Sequence, residues 1–204
     1  MDLSRSIVIG NTFSGPIKRT TAKWLLDHFP PGHFLCYVKE VPMIVGRNAM
    51  IRDGGLATIN RFQKDQGIEV DWVFFVDNDV TITKPGIDNF LAVPGDVVSC
   101  ECRMQSAHAW GEKDAFHDHF WRCRAEVLRA IEPPWFTENW TEDGCNVVGC
   151  ECLTFRAKAI EAGFRVRHGG WCGHENAHSW TGRRVLTPVT GDAPTQSAPA
   201  TGGV

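Results

Sequence analysis

The chain has 204 residues, 43% of them hydrophobic, and a formal net charge of -3 at pH 7. This length favours one domain with a single core, and the charge gives no global signature of binding to nucleic acid or to an anionic membrane, although it leaves local basic strips open. No stretch approaches the ~20 apolar residues of a membrane-spanning helix, and no basic segment followed by an apolar run opens the sequence. A cytoplasmic protein without a membrane span is therefore expected.

Strand-like segments alternate with helix-like segments along the first half of the chain. Short apolar runs predict the strands, and apolar residues at helical spacing predict the helices between them. Asp53 or Asn48 is expected to cap the second helix, and Gly67 to end it. The predicted elements are strand 6–9, helix 18–29, strand 33–38, a helix ending at Gly67 and strand 71–76. This alternation is typical of an α/β domain with a mainly parallel central sheet flanked by helices.

Two carboxylates follow the strand predicted at 71–76, in the motif Asp77-Asn78-Asp79. The strand is a continuous apolar run, which indicates burial on both faces of the sheet. In open α/β sheets, ligands bind beyond the carboxyl ends of the strands. Hard cations such as Mg²⁺ and Mn²⁺ are commonly bound by one or two carboxylates together with substrate phosphates. The motif predicts a divalent-cation site, although acidic residues after strands also form turns and helix caps.

Eight cysteines are present, and free thiols are the expected state of a chain with no secretory segment. Two pairs have one intervening residue: Cys100 with Cys102, and Cys150 with Cys152. Residues two apart on a strand face the same way, so two such pairs on neighbouring strands would form a four-thiolate structural zinc site. Core packing is the favoured alternative, since zinc ligands are usually separated by a longer spacer.

Several motifs along the chain resemble one family in their order and spacing. They are Arg47-Asn48, Asp77-Asn78-Asp79, a helix-like segment at 122–128 with Pro133-Pro134-Trp135-Phe136, and Gly149-Cys150-Glu151 before a helix ending at Gly163, a final strand and His174. Together they resemble the A-type nucleotide-sugar glycosyltransferases, in particular the short family-two-like enzymes of phages and bacteria. The resemblance spans about residues 7–180. It implies a single-domain, Rossmann-like A-type fold over residues 1–186, and the host cytoplasm as location if a phage encodes the protein.

Beyond this domain, residues 187–204 are rich in Pro, Thr, Ala, Gly and Ser and have little to bury. A disordered tail is expected there.

The resemblance also implies roles in binding a donor and a cation. Asp79 is expected to contact Mn²⁺ or Mg²⁺ directly, Asp77 to bind the cation through water or to hold the ribose, and His174 to be the third ligand, with His178 as its rival. A UDP-sugar is the first expectation for the donor. The implied donor-binding residues are Thr12, Ser14, Arg47, Asp77 and Asn78. The alternatives are that Ser14 caps a helix and that Arg47 is a surface charge.

An inverting enzyme of this family uses a carboxylate as general base, and the resemblance implies Glu151 for it. The chain has Cys150-Glu151-Cys152 where the family often has two adjacent acids, so Asp143 or Glu142 is an alternative base. Glu151 as a helix cap is a further alternative. A retaining enzyme would need no such base.

Aromatic and glycine-rich segments suggest where an acceptor and a donor would lie. An acceptor surface is predicted at residues 135–140 with Trp110, Trp171 and Trp180, and core packing is the alternative. The run 168–174 contains three glycines and is predicted to be a mobile loop over the donor. The expected acceptor is a hydroxymethylpyrimidine in phage DNA or a surface glycan.

Three other functions remain open at this point. They are a nucleotidyltransferase, a nucleotide-sugar binding module without turnover, and a zinc-dependent enzyme that modifies nucleic acid. The chain lacks the His-x-Glu and Pro-Cys-x-x-Cys pattern of zinc deaminases, which counts against the last of them.

Overall fold

The structure is a computed structural model that describes residues 3–11, 16–37, 42–103, 119–140, 142–143, 147–149 and 151–174. Several predictions fall outside these residues: those for Thr12, Ser14, Trp110, His178, Trp180 and the tail at 187–204.

Seven strands of the described chain form one sheet: β1 (Ser6–Asn11), β2 (Phe34–Tyr37), β3 (Trp72–Asp77), β4 (Val80–Ile82), β5 (Val97–Arg103), β6 (Phe120–Arg124) and β9 (Val166–His174). Their spatial order is β2-β1-β3-β6-β5-β9-β4. Strand β1 is parallel to β2 and β3, and β5 is parallel to β9, whereas β6 and β4 run antiparallel to their neighbours. Five of these seven strands therefore run the same way, which confirms an α/β fold with a mainly parallel sheet.

A second, two-stranded antiparallel sheet consists of β7 (Asn139–Trp140) and β8 (Val147–Gly149). The helices are α1 (Arg19–His28), α2 (Met43–Ala49), α3 (Ala57–Arg61), α4 (Lys84–Ala92), α5 (Ala125–Ala130) and α6 (Glu151–Glu161), with π-helical segments at Met50–Leu56 and Phe62–Gln66. Within the described chain, every helix is too short or too polar to cross a membrane.

The continuous helical segment that contains α2, α3 and the two π-helical segments is longer than predicted. It begins at Met43, not near Asn48 or Asp53, and it ends at Gly67, whose φ of 66° confirms the predicted end. The prediction of the start was wrong because the helical segment runs through Gly54 and Gly55, although glycine has a low helix propensity. A side chain at Gly55 would lie 3.3 Å from Leu128 and 3.5 Å from Phe75, so the glycine permits close packing within a continuous helical segment.

The segment 122–128 was expected to be one helix, and this prediction was wrong for its first part. Residues up to Arg124 belong to β6, and α5 begins at Ala125. Arg122 and Cys123 pair with Phe74 and Val73 of β3. Pairing with a strand almost fifty residues earlier in the chain overrides the local helical pattern.

The run 168–174 is a strand, β9, and not the loop that its glycines predicted. These glycines allow α4 to pack directly on the strand. A Cβ atom at Gly169 would lie 2.6 Å from Val93, and one at Gly170, whose φ is 71°, would lie 2.5 Å from Phe90. Because glycine has no side chain, the helix and the strand can pack closely at these two positions.

The same contact makes Gly86 of α4 a sensitive position. A Cβ atom there would lie 2.1 Å from the carbonyl oxygen of Trp171, so Gly86→Ala forces the backbones of α4 and β9 apart. We expect a loss of roughly 1–3 kcal/mol in the free energy of unfolding, measured by urea denaturation. Gly173→Ala in β9 is the control, because its new methyl group would meet Thr81 at an ordinary 3.4 Å. Equal stability of the two variants would contradict this packing.

Apolar side chains are buried on both faces of the sheet, as the continuous run at 71–76 predicted. Val73 and Phe75 of β3 face a cluster with Trp121, Phe136 and Phe155, which α5 and α6 cover. The opposite face carries the second cluster, which packs under α1 and α4; its members include Leu25, Phe74, Val76, Ile87, Phe90 and Phe120. The two layers hold the carboxyl ends of β1 and β3 in a fixed position.

Candidate active site

Asn11 and Asp77 are the last residues of β1 and β3 and are adjacent in the parallel pairing of these strands. Both side chains are buried. The amide Nδ2 of Asn11 donates a hydrogen bond of 2.8 Å to Oδ1 of Asp77. Because parallel strands end at the same edge of a sheet, residues 66 positions apart in the chain meet at this edge.

Arg47 connects Asp77 to a second carboxylate. From α2, its Nη2 donates a hydrogen bond of 3.2 Å to Oδ2 of Asp77, and its Nε lies 3.8 Å from Oε1 of Glu151. Glu151 is the first residue of α6. All three residues are buried, with exposed fractions of 3% for Arg47, 8% for Asp77 and 6% for Glu151. The structure thus brings together three residues that the sequence analysis named.

His119 is a site residue that the sequence analysis did not identify. Its Nδ1 lies 3.1 Å from Oδ2 of Asp77, and its carbonyl oxygen accepts a hydrogen bond of 2.8 Å from the Asp77 amide. A carboxylate only accepts hydrogen bonds, so Nδ1 carries the proton. The imidazole is a quarter exposed. No local motif marks His119, because only the antiparallel pairing of β6 with β3 brings it to this position.

These contacts determine the protonation state of Asp77. Burial by itself raises the pKa of this carboxyl group, but the charge of Arg47 and the hydrogen bonds from His119 and Asn11 outweigh it. The result is a pKa lowered to about 2. Asp77 is consequently a carboxylate at any pH at which the protein is expected to work.

A dependence of stability on pH follows from this shift. The folded-state pKa lies below the usual 3.8 of an aspartate, so the contribution of Asp77 is fully present above that value and is lost as the pH falls towards 2. The free energies of unfolding of the wild type and of Asp77→Asn should differ by a constant amount near neutral pH. Below about pH 4 their difference should shrink, by on the order of 2 kcal/mol in total.

Urea denaturation at successive pH values, down to the acid limit of folding, measures this difference. Asp27→Asn is the control, since Asp27 lies on the exposed side of α1 in a pair with Lys23. A difference between the wild type and Asp77→Asn that stays constant down to the acid limit would show that Asp77 is not held in its ionised form.

Asn78 and Asp79 form the turn between β3 and β4, and both are buried. The carbonyl oxygen of Asn78 accepts a hydrogen bond of 3.0 Å from the amide of Lys18, the residue before α1. Val80, which follows Asp79, pairs with His174 at the end of β9. The backbone therefore brings His174 beside the motif, while its side chain lies outside the described part of the structure.

The described residues contain no group of three His, Cys, Asp or Glu side chains arranged to hold a metal ion. The chemistry of the motif nevertheless fits a hard cation, because Asp77 and Asp79 supply carboxylate oxygens and Asp77 is ionised. Both oxygens of Asp77 already accept hydrogen bonds from protein groups. Direct contact of Asp79 with a cation stays a prediction.

Asn48 attaches the Pro-Trp-Phe segment to α2. Its Nδ2 donates to the carbonyl oxygens of Ile44 and Phe136, at 2.9 and 2.8 Å, and its Oδ1 accepts from the amide of Phe136 at 3.1 Å. Trp135 and Phe136 are buried in the core. The prediction of an acceptor surface was therefore wrong for these two side chains, because their apolar faces pack inward.

The two alternative bases differ from Glu151 in their exposure to solvent. Glu142 and Asp143 are exposed residues between β7 and β8, whereas Glu151 is buried beside Arg47. Glu151 occupies the first turn of α6, so its position agrees with the helix-cap alternative as well.

The cysteines are in two states. Cys100, Cys123 and Cys172 are free and buried, as expected, whereas Cys152 is in a disulfide bond, which the expectation of free thiols missed. The disulfide partner of Cys152 lies outside the described side chains. A hydrogen bond with Cys172, together with burial, raises the pKa of Cys100 well above that of an ordinary thiol.

The zinc hypothesis needs four cysteines in one place. Cys100 belongs to the apolar cluster on one face of the sheet and Cys152 to the cluster on the other. The side chains of Cys102 and Cys150 lie outside the described residues, so the zinc site stays a prediction, which the positions of Cys100 and Cys152 do not favour.

Comparison with known proteins gives a likeness of fold. The sequence matches no protein-family model and no curated protein. Among solved structures, A197 from STIV is similar, with 15% sequence identity and a TM-score of 0.47 over 82% of this chain and 83% of that one. A glycosyltransferase involved in the glycosylation of the major capsid of PBCV-1 is similar at 13% identity and a TM-score of 0.47, over 84% and 93% of the two chains. With TM-scores below 0.5, neither structure supports a conclusion about the chemistry of this chain.

Proposed function

We propose that the protein is a nucleotide-sugar glycosyltransferase that moves a sugar from a nucleoside diphosphate to an acceptor hydroxyl, with Mn²⁺ or Mg²⁺ at Asp77-Asn78-Asp79. The observation that carries this proposal is the position of the motif. It lies at the carboxyl edge of β1 and β3, two neighbouring parallel strands, where ligands bind in open α/β sheets. Two buried carboxylates at such an edge suit a cation that faces the phosphates of a donor.

The two carboxylates of the motif have different parts in this proposal. Asp79 contacts the cation directly, and His174, whose backbone lies opposite Val80, is the third protein ligand. Asp77, which Asn11, Arg47 and His119 hold in place, reaches the cation through water or holds the ribose. A bound divalent cation supplies a Lewis acid that stabilises negative charge on the leaving diphosphate oxygen.

Glu151 is the proposed general base of an inverting mechanism. An acceptor hydroxyl loses its proton as it attacks the anomeric carbon, and a carboxylate near that carbon takes the proton. Glu151 begins α6 and lies in the same buried network as Asp77. Its carboxylate lies 3.8 Å from Nε of Arg47, and this contact supports the choice of Glu151 as the base.

Stabilisation by the donor tests this function. A ligand that binds only the folded state raises the apparent stability, by about 2.7 kcal/mol at a concentration 100 times its Kd. Thermal unfolding would be measured with UDP-, GDP-, dTDP- and CDP-sugars, with and without Mn²⁺. A shift with one nucleotide that requires Mn²⁺ supports the proposal, and a UDP-sugar is expected to give it. Failure of every donor to shift the transition would contradict it.

Analysis of the products then separates the remaining functions. Release of a nucleoside diphosphate together with a glycosylated acceptor is the expected result. Release of pyrophosphate would identify a nucleotidyltransferase, and donor binding without release of any product would identify a binding module. Acceptor candidates for this assay are DNA with hydroxymethylated pyrimidines and surface glycans, each offered with the donor found above.

A further inference from the structure

We propose that Arg47 is a positioning residue that links the carboxylates of Asp77 and Glu151, and that it is not a ligand of the donor phosphates. The kinetic consequences of this inference rest on the function proposed above. The link itself is a property of the folded chain and is testable without any substrate.

The contacts of the guanidinium carry this inference. Nη2 donates to Oδ2 of Asp77 at 3.2 Å, and Nε lies 3.8 Å from Oε1 of Glu151, so two neighbouring nitrogens of the guanidinium face different carboxylates. The Arg47 side chain is only 4% exposed. A ligand for phosphate must present its N–H groups to the donor, and the Nη2 and Nε atoms of this buried guanidinium face carboxylates of the protein.

The link joins three separate parts of the fold. Arg47 lies on α2, Asp77 ends β3 and Glu151 begins α6. Asn48, the next residue, forms hydrogen bonds with Phe136, which attach α2 to the Pro-Trp-Phe segment. One side chain thereby sets the distance between the end of the strand that carries the candidate cation motif and the start of the helix that carries the candidate base.

Charge explains why an arginine occupies this position. Two buried carboxylates near each other repel, and a cation between them removes this repulsion. Arginine is planar with donors on both sides, so it reaches two carboxylates at once. Lysine keeps the charge but concentrates it on one nitrogen atom, so it is expected to hold one carboxylate and release the other.

A double-mutant cycle measures the link directly. The variants are Arg47→Lys, Glu151→Gln and the double variant, with the equilibrium constant of unfolding determined in urea. We expect Arg47→Lys to raise this constant about tenfold more in the wild-type background than in the Glu151→Gln background, because only the first contains the charged partner. Equal effects in both backgrounds would overturn the inference. Arg129→Lys, on the exposed side of α5, is the control for the exchange itself.

The Glu151→Gln protein also allows a spectroscopic test that requires no change at Arg47. In protein with ¹⁵N-labelled arginine, the Nε–H resonance of Arg47 should shift, and its hydrogen should exchange faster with water, when Glu151 loses its charge. An unchanged resonance and exchange rate would overturn the inference. This test applies even if Arg47→Lys does not fold.

Binding and kinetics separate positioning from phosphate binding. We expect Arg47→Lys to leave the Kd of the preferred nucleoside diphosphate within about twofold and to lower kcat. Displacement of the Asp77 and Glu151 carboxylates would weaken stabilisation of the transition state without changing the binding of the nucleotide. A phosphate ligand would instead raise that Kd about tenfold, and leave the Kd of the nucleoside without phosphates unchanged. That second result would overturn the inference.

The two proposals fail in different ways. Coupling between positions 47 and 151 with no binding of any nucleotide would leave the link intact and contradict the glycosyltransferase function. Additive effects on stability, with a Mn²⁺-dependent donor shift, would support the function and overturn the role of Arg47.

Discussion

Asp79→Asn is expected to abolish the Mn²⁺-dependent donor shift and to lower kcat/KM about 100-fold or more, because it removes the carboxylate proposed for direct contact with the cation. The exchange replaces one oxygen by an NH₂ group of similar size at a buried turn. The volume and the turn are retained, so the variant should fold. Titration with Mn²⁺ in the presence of the donor, together with initial rates, provides the measurement.

Asp88→Asn is the matched control for this prediction. Asp88 lies on α4, where its carboxylate is exposed and pairs with Lys84 one helical turn away. This variant should bind donor and cation as the wild type does. If Asp79→Asn were also to keep the Mn²⁺-dependent shift, the cation would have to lie elsewhere, and the central assignment would be wrong.

Trp121→Ala is expected to have the largest effect on stability, a loss of roughly 3–5 kcal/mol in the free energy of unfolding. Trp121 is fully buried in β6 and stacks on Phe75 with ring centroids 4.3 Å apart. It also packs against Phe155 of α6 at 4.9 Å and against Phe136 at 6.3 Å. Its removal leaves a cavity between the sheet, α6 and the Pro-Trp-Phe segment.

This loss would be a large part of the ~5–15 kcal/mol that stabilises a typical domain, so the variant should be near the limit of folding. Urea denaturation followed by far-UV circular dichroism is the appropriate measurement, since tryptophan fluorescence would itself change. Leu26→Ala is the control, because Leu26 is 73% exposed on α1 and should change stability by less than about 0.5 kcal/mol. If Trp121→Ala lowered the free energy of unfolding as little as Leu26→Ala, the stacking of Trp121 in the core would be contradicted.

The sequence by itself determined the features that depend on short runs of residues. The continuous apolar run at 71–76 predicted a strand buried on both faces, and β3 is such a strand. The alternation of apolar runs and helical periodicity predicted the α/β class and the elements β1, α1 and β2. The position of Asp77 and Asp79 at a strand end followed from the same pattern, because a strand and the turn after it are both local.

Only the tertiary structure decided which residues surround Asp77. The family resemblance implied that Arg47 and Glu151 belong to the same site as Asp77, but it did not predict their contacts. His119, which directly precedes β6, was not predicted at all. The glycines at 169 and 170 predicted a loop, because the sequence around them does not show that a distant helix packs on them. Strand pairing and helix packing join segments that are distant in sequence, and the energy of these contacts exceeds local preferences. The motif could therefore be found by reading the chain, whereas the charges that hold it in place became visible only in the fold.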